Sequence, residues 1–176
     1  MEMQLNFTKT LLSEQEIKTR VKELGKQITE DYKNKNLVVL CVLKGSIIFT
    51  ADLVREIELP LTIETIRAKS YVGTQTTQNV LLSDCFTESL EGKDLLIIED
   101  ILESGYTLSK IRDSLQTKNP LSVKLCTLLY KEELRKTDIV PDYYGFKIGP
   151  EFVVGYGLDY NGQYRNLPHI AVPNDD

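Results

Sequence analysis

The chain has 176 residues, 41% of them hydrophobic, which suffices for one domain with a buried core. Its formal net charge of -5, from 21 Lys and Arg against 26 Asp and Glu, argues against a broad cationic face that would grip a nucleic-acid backbone and leaves room only for a local basic groove. Cys41, Cys85 and Cys126 are odd in number, far apart and mostly in apolar runs, so they read as buried thiols rather than a disulfide framework or a Cys-x-x-Cys metal site. Met1 to Thr10 lacks a basic start with an apolar run behind it, and no apolar stretch approaches the ~20 residues of a membrane span, so a cytoplasmic protein with no membrane partner is expected.

Ser13-x-x-Glu16 is a capping box, and Ile17, Val21, Leu24 and Ile28 follow at helical spacing, predicting an amphipathic helix over 13–32. "NLVVLCVL" (Asn36 to Leu43) is a nearly continuous apolar run of strand length, as expected of a strand covered on both faces of a parallel sheet. A helical stretch from Ser46 to Glu58 comes next, then a loosely alternating strand from Leu61 to Tyr71. The polar "VGTQTTQN" (Val72 to Asn79) reads as a mobile loop, with Val80 to Phe86 returning as a hairpin partner. Leu95 to Ile98 is a second buried strand, Tyr106 to Gln116 a helix and Ser122 to Leu129 a third buried strand. From Tyr143 onward "YYGFKI", "FVVGYGLDY" and "HIAV" read as short strands and turns, with the lone His169 in a structural role. Strand, helix, strand, helix, strand predicts an α/β fold, a mainly parallel twisted sheet flanked by helices.

Ligands of open parallel sheets bind outside the carboxyl ends of the strands. Here Leu43 runs into Lys44-Gly45-Ser46, Ile98 into Glu99-Asp100, and Leu129 into Tyr130-Lys131. Ser104-Gly105-Tyr106-Thr107 then sits where strand turns into helix and offers backbone amides, hydroxyls and the positive end of a helix dipole, the parts of a phosphate cradle. Each piece has an ordinary reading alone: a Ser or Thr ahead of a helix is a plain N-cap, Lys44-Gly45 a turn, Glu103 a solvated acid. Three strand ends converging on one crevice shift the balance toward a site. Neither the Walker A pattern nor a G-x-G-x-x-G following a strand is present.

Acids beside a phosphate cradle pose a conflict. A carboxylate about 5 Å from a phosphate charge repels it by roughly 3 kcal/mol at an effective dielectric of about 20. Glu99 and Asp100 must therefore face either sugar hydroxyls, which donate to them, or Mg2+, which takes oxygen ligands. A ligand carrying a phosphate at one end and a diol in the middle satisfies both halves of "LLIIEDILESGYTL" (Leu95 to Leu108).

Two acids, aliphatic residues, a further acid and small-Gly-x-Thr together resemble the phosphoribosyl diphosphate signature of type I phosphoribosyltransferases. More narrowly, "VLKGS" (Val42 to Ser46), "IRAKSY" (Ile66 to Tyr71), Lys131 after an apolar strand and "FVVGYGLDYNGQYRNLPHI" (Phe152 to Ile170) resemble, in order, the bacterial 6-oxopurine branch, the hypoxanthine-guanine phosphoribosyltransferases. The similarity runs from about Leu11 to Val172. It implies a single domain over 1–176, with a core at about 36–140 and a small hood formed by about 1–12 and 141–176. It also implies purine salvage: Mg2+-dependent transfer of 5-phosphoribosyl from phosphoribosyl diphosphate to N9 of hypoxanthine or guanine, giving IMP or GMP and diphosphate, in a homodimer or homotetramer. By the same resemblance Glu99 and Asp100 hold the ribose hydroxyls and serve as metal ligands with Asp159. Glu103, Ser104, Gly105, Tyr106 and Thr107 bind the 5'-phosphate. Lys44, Gly45, Arg165, Ser70 and Tyr71 contact the diphosphate, the last two beginning a lid, and a cis peptide joins Leu43 to Lys44. Lys131, Phe152, Val153 and Asp159 surround the base, with Lys131 donating to the purine O6 and Phe152 stacking.

The sequence departs from the family at Glu103, where Asp is usual as the group that takes the N7 proton. Glu reaches about 1.5 Å further, and misplacement of that size can cost about 10²-fold in rate. Glu103 remains the expected general base, and from the sequence alone Glu103→Asp is expected to preserve or raise turnover. Ser104 for the commoner Thr keeps the hydroxyl. Two other functions use the same fold: an RNA-binding regulator, against which the acidic charge counts, and transfer to adenine, xanthine or uracil, of which Lys131 as a donor disfavours adenine.

Overall fold

The computed structural model describes residues 7–70, 80–84 and 86–174. Chain order is β1 (Phe7–Leu12), α1 (Glu14–Asp31), β2 (Leu37–Leu43), α2 (Ile47–Arg55), β3 (Thr62–Ser70), β4 (Val80–Asp84), β5 (Asp94–Leu102), α3 (Tyr106–Gln116), β6 (Ser122–Tyr130), a 3-10 turn at Glu132–Leu134, β7 (Tyr143–Lys147) and β8 (Ile170–Pro173). The main sheet has the order β4-β3-β2-β5-β6-β7. Every neighbouring pair is parallel except β3 with β4, which is antiparallel. The strand order reverses between β2 and β5, which makes the carboxyl end of that pair the topological switch point and the expected mouth of a site.

Two helical layers explain why β2 reads as unbroken apolar sequence. Leu37 and Val39 pack with Ile17, Val21, Leu24 and Ile28 of α1 and Phe49 and Leu53 of α2. Val38, Leu40 and Val42 face the other way, toward Leu108, Ile111 and Leu115 of α3. Each such Leu or Ile fully buried is worth about 1.5–3 kcal/mol relative to exposure. The capping box forms as expected: Glu16 N-H donates to Ser13 Oγ at 3.3 Å and Ser13 N-H to Glu16 Oε2 at 2.8 Å.

Three sequence expectations need adjustment. Helix α2 ends at Arg55 rather than Glu58, because at Gly25 it meets α1 so closely that a Cβ there would lie 2.4 Å from Glu56 Cβ. The Glu58 amide donates instead to Thr29 Oγ1 at 3.0 Å. Strand β5 runs on to Leu102, so Glu99 and Asp100 lie inside it rather than beyond it. On the β6 side its pairing continues through Glu99↔Thr127 to Leu102↔Tyr130, whereas the β2 side pairs to Cys41↔Ile98. The carboxylates therefore stand where one neighbour departs and the other stays. Finally, Tyr143–Lys147, read as hood, extends the main sheet beside β6. Outside that sheet β1 and β8 join the two ends of the chain, from Phe7↔Pro173 to Leu12↔Ile170.

Cys41 and Cys126 are buried and free. Cys85, Tyr71 and residues 72–79 lie outside the described residues, and Ser70 is placed as the last residue of β3. Among the described residues no helix is long and apolar enough to cross a membrane.

Candidate active site

At the end of β2 the peptide between Leu43 and Lys44 is cis, as expected. Lys44 is exposed, and its carbonyl accepts from Ile47 N-H at 3.2 Å as α2 begins. Ser46 is fully buried and donates from Oγ to Val42 O at 2.8 Å, which ties the loop back to its strand. Between them Gly45 crosses Asp100 so closely that a Cβ would lie 1.7 Å from Asp100 Oδ2. Only glycine lets the backbone pass there.

Burial pushes both carboxyl groups of the acidic pair above their ordinary values, and for Glu99 the charge of Asp100 adds to the effect. The guanidinium of Arg165 works the other way on Asp100. The pair is braced locally, Glu99 Oε1 accepting from Asp100 N-H at 3.2 Å and Asp100 Oδ1 from Ile101 N-H at 2.8 Å. Among the described residues neither has a cation within ion-pair distance, so the two crowded acids are offset only by local backbone donors and by the more distant Arg165.

Beside them a cavity of about 200 Å³ is lined by Glu99, Asp100, Glu103, Ser104, Gly105 and Thr107. Gly105 is the N-cap of α3 with φ +84, and no side chain caps the helix among the described residues, so its first amides and positive dipole end face the cavity. The turn is backed by a segment that the sequence did not mark. A Cβ at Gly105 would meet Thr137 Oγ1 at 2.2 Å and Ile139 Cγ2 at 2.6 Å, and the Ser104 carbonyl accepts from Lys136 N-H at 3.0 Å. The signal for Thr137 and Ile139 is invisible in sequence because it is a contact across more than thirty positions. Tyr106 is 40% exposed, and its neighbours Gly105 and Thr107, not Tyr106 itself, line the cavity.

Lys131 is no surface charge: its side chain is 4% exposed, and Nζ pairs with Glu103 Oε1 at 2.5 Å. Glu103, 49% exposed, thus joins solvent to a buried ammonium. The long Glu side chain spans the distance from the turn to the end of β6.

The tail comes back over the crevice. Phe152 is 54% exposed, with the edge of Tyr160 against it at 6.1 Å between centroids, while Val153 is buried. Gly155, Tyr156 and Gly157 have φ of +100, +47 and +104, and a Cβ at Gly157 would lie 2.0 Å from Gly45 O. Arg165 donates to Gly157 O at 2.5 Å and pairs with Asp159 at 2.6 Å, while Asp159 Oδ2 accepts from Gly162 N-H at 2.7 Å. The structure thus gathers Lys44, Gly45, Asp100, Asp159 and Arg165 at one side of the crevice and Glu103 to Thr107 with Lys131 at the other. Asp159 and Arg165, given separate roles by the sequence, engage each other. Gly157 and Tyr156 were not singled out by sequence, although the alternation of Gly around Tyr was its one trace.

Among the described residues no three His, Cys, Asp or Glu side chains form a metal-holding group. A Mg2+ bound through one or two carboxylates and substrate phosphates does not require one, and Glu99 and Asp100 suit that donor set.

Comparison with known proteins agrees with this geometry. The family model for the phosphoribosyl transferase domain matches residues 8–161. The hypoxanthine phosphoribosyltransferase of Salmonella typhimurium is 45% identical over 164 residues, 92% of either chain. The hypoxanthine-guanine phosphoribosyltransferase of Staphylococcus epidermidis is 48% identical over 170 residues, 96% of this chain and 95% of that one. Among solved structures, a hypoxanthine phosphoribosyltransferase of Staphylococcus aureus superposes with a TM-score of 0.92 at 46% identity, covering 96% of this chain and 92% of the other. A hypoxanthine-guanine phosphoribosyltransferase of Bacillus anthracis does so with 0.90 at 42%, covering 97% and 100%. The chain belongs to the phosphoribosyltransferase family, in its hypoxanthine-guanine branch.

Proposed function

We propose that this chain is a cytoplasmic purine-salvage enzyme that moves the 5-phosphoribosyl group of phosphoribosyl diphosphate to N9 of hypoxanthine or guanine, releasing diphosphate. The observation that carries the reading is the cavity at the head of α3, where amides with no side-chain cap among the described residues adjoin two carboxylates with no ion-pair partner there. A terminal phosphate suits the first and a sugar diol, or a cation on that diol, the second.

Each residue then has a physical task. Ser104, Gly105, Tyr106 and Thr107 hold the 5'-phosphate at the positive end of α3. Glu99 and Asp100 accept from the ribose hydroxyls, which relieves their mutual repulsion. Lys44, the amides about Gly45 and Arg165 hold the diphosphate, where negative charge grows as the bond to the sugar breaks. Glu99, Asp100 or Asp159, together with substrate oxygens, would hold Mg2+, which would further neutralise that charge.

Recognition of the base follows from the Glu103 and Lys131 pair. N7 and O6 lie on one edge of a 6-oxopurine, the first losing a proton and the second accepting a hydrogen bond. An acid and an ammonium already 2.5 Å apart match that edge: Lys131 donates to O6, and Glu103 takes the proton from N7 as N9 attacks. The 6-amino group of adenine is a donor and would meet Lys131 badly. Phe152, more than half exposed, offers a face for the ring, and the backbone at Val153 reads its far edge. The same reading gives the chain a homodimeric or homotetrameric assembly; a Trypanosoma cruzi relative, 38% identical with a TM-score of 0.91, is one whose C-terminal region bears on oligomeric state.

A spectrophotometric assay with phosphoribosyl diphosphate, Mg2+ and each purine in turn tests the proposal. Product with hypoxanthine or guanine and little with adenine is the expected result. Intact donor binding with no product from either 6-oxopurine would overturn it.

A further inference from the structure

Tyr156 occupies a backbone conformation that bulky side chains rarely adopt, φ +47, between two glycines at φ +100 and +104. Such a residue persists only where its surroundings over-determine it. Its amide donates to Leu167 O at 2.8 Å, its ring lies in the larger core cluster at 6% exposure, and its hydroxyl donates to Asp52 Oδ2 at 2.5 Å. Burial, then the bond to Asp52, pushes the phenol far above its ordinary range, so the hydroxyl is a constant donor.

Asp52 belongs to α2, the helix that starts immediately after the Lys44-Gly45-Ser46 loop. Gly157, the neighbour of Tyr156, abuts Gly45 O at the closest approach between tail and loop, and the Gly157 carbonyl holds the Arg165 guanidinium. One hydrogen bond between residues 104 positions apart therefore links the helix that follows the Lys44-Gly45 loop to the turn whose Gly157 carbonyl holds Arg165. A shift of the turn by about 1 Å would move the two cationic groups relative to each other.

We propose that Tyr156 and Asp52 are positioning residues that set the spacing between the Lys44-Gly45 loop and Arg165, and so tune affinity for the diphosphate end of the donor. This rests on the assignment of that crossing as the diphosphate site. Neither residue touches substrate, and both act through the backbone of Gly157 and the start of α2.

Steady-state kinetics with each substrate varied, together with calorimetry using inorganic diphosphate and Mg2+, tests this on the whole chain. Tyr156→Phe keeps the ring and loses one buried hydrogen bond, so it is expected to raise the KM for phosphoribosyl diphosphate and the Kd for diphosphate about tenfold, leaving the KM for hypoxanthine within about twofold. Asp52→Ala should match it, Asp52→Asn, which keeps a carbonyl acceptor, should restore most of the loss, and the double variant Tyr156→Phe with Asp52→Ala should add nothing further. Unchanged diphosphate affinity, or equal weakening toward both substrates with a lowered Tm, would overturn the proposal. Should Tyr156→Phe not fold, the difference between Asp52→Ala and Asp52→Asn decides in the same way. Arg165→Ala, run in parallel, separates the two failures: if it leaves diphosphate binding intact, the site assignment fails and the proposal with it. If it abolishes binding while Tyr156→Phe changes nothing, the positioning role alone fails.

Discussion

The two sides of the crevice are made in opposite ways. On one side a single run from Glu99 to Thr107 supplies carboxylates, the Glu103 side chain and the helix-capping turn, with its shape set by φ +84 at Gly105. On the other, two distant segments meet each other and that run with no slack: Gly45 lies against Asp100 and Gly157 against Gly45, each at a distance that leaves no room for a methyl group. The contiguous side can yield, because its backing is a pair of side chains, Thr137 and Ile139, at the end of a loop. The crossing yields less, because Gly157 there meets a backbone oxygen and Gly45 meets a carboxylate braced by the Ile101 amide. A site assembled by long-range packing is therefore the more fragile half.

The sharpest way to break that contrast is Gly45→Ala. The new Cβ would displace Asp100, and a misplacement of about 1 Å is expected to cost at least about 10²-fold in kcat/KM, measured with saturating purine beside a thermal melt. Retention of activity within tenfold would mean that the crossing flexes and the contrast is unfounded. Gly105→Ala should cost less in catalysis and more in stability: a left-handed alanine costs about 1–2 kcal/mol, read as a lowered Tm, with kcat/KM expected to stay within about tenfold of the parent. Adding Thr137→Ala removes the 2.2 Å contact and should recover part of the loss in Tm.

Glu103→Asp sharpens the comparison within the contiguous side. Shortening the side chain by about 1.5 Å withdraws it from Lys131, so a fall in kcat of up to about tenfold is expected, with the KM for phosphoribosyl diphosphate unchanged. The direction differs from the expectation drawn from sequence alone, because Glu103 reaches Lys131 at 2.5 Å. Turnover equal to or above that of the parent in stopped-flow assays would show that the turn closes the gap.

The smallest effect concerns pH. Because burial raises Glu99 and Asp100, the folded chain binds more protons than the unfolded one between the ordinary carboxylate value, about 4.3 for Glu, and the raised values. Stability from this pair is present in full below that interval and falls as pH rises through it. Melts from pH 4 to 8 without ligand should show the decline, and Glu99→Gln should flatten it by a few degrees. An identical slope in the variant would place the titration elsewhere.

Legibility in the sequence followed the range of the interaction. The helix at Glu14–Asp31, the buried strands and the start of α3 at Tyr106 were readable because a capping box, unbroken aliphatic runs and a glycine at a strand-to-helix turn act within a few residues. The end of α2 was not, since it depends on Gly25 in another helix, and the length of β5 was not, since β6 holds it to Leu102.

By itself the sequence determined that an acidic pair is followed closely by a glycine turn that opens a helix at the end of one inner strand, because those residues lie close together in the chain. Tertiary structure alone decided that Glu103 reaches Lys131, that Asp159 holds Arg165, and that Gly157 seats on Gly45. The physical reason is that spacing along a chain fixes only local contacts, whereas these depend on how tightly the sheet, α2 and the returning tail pack.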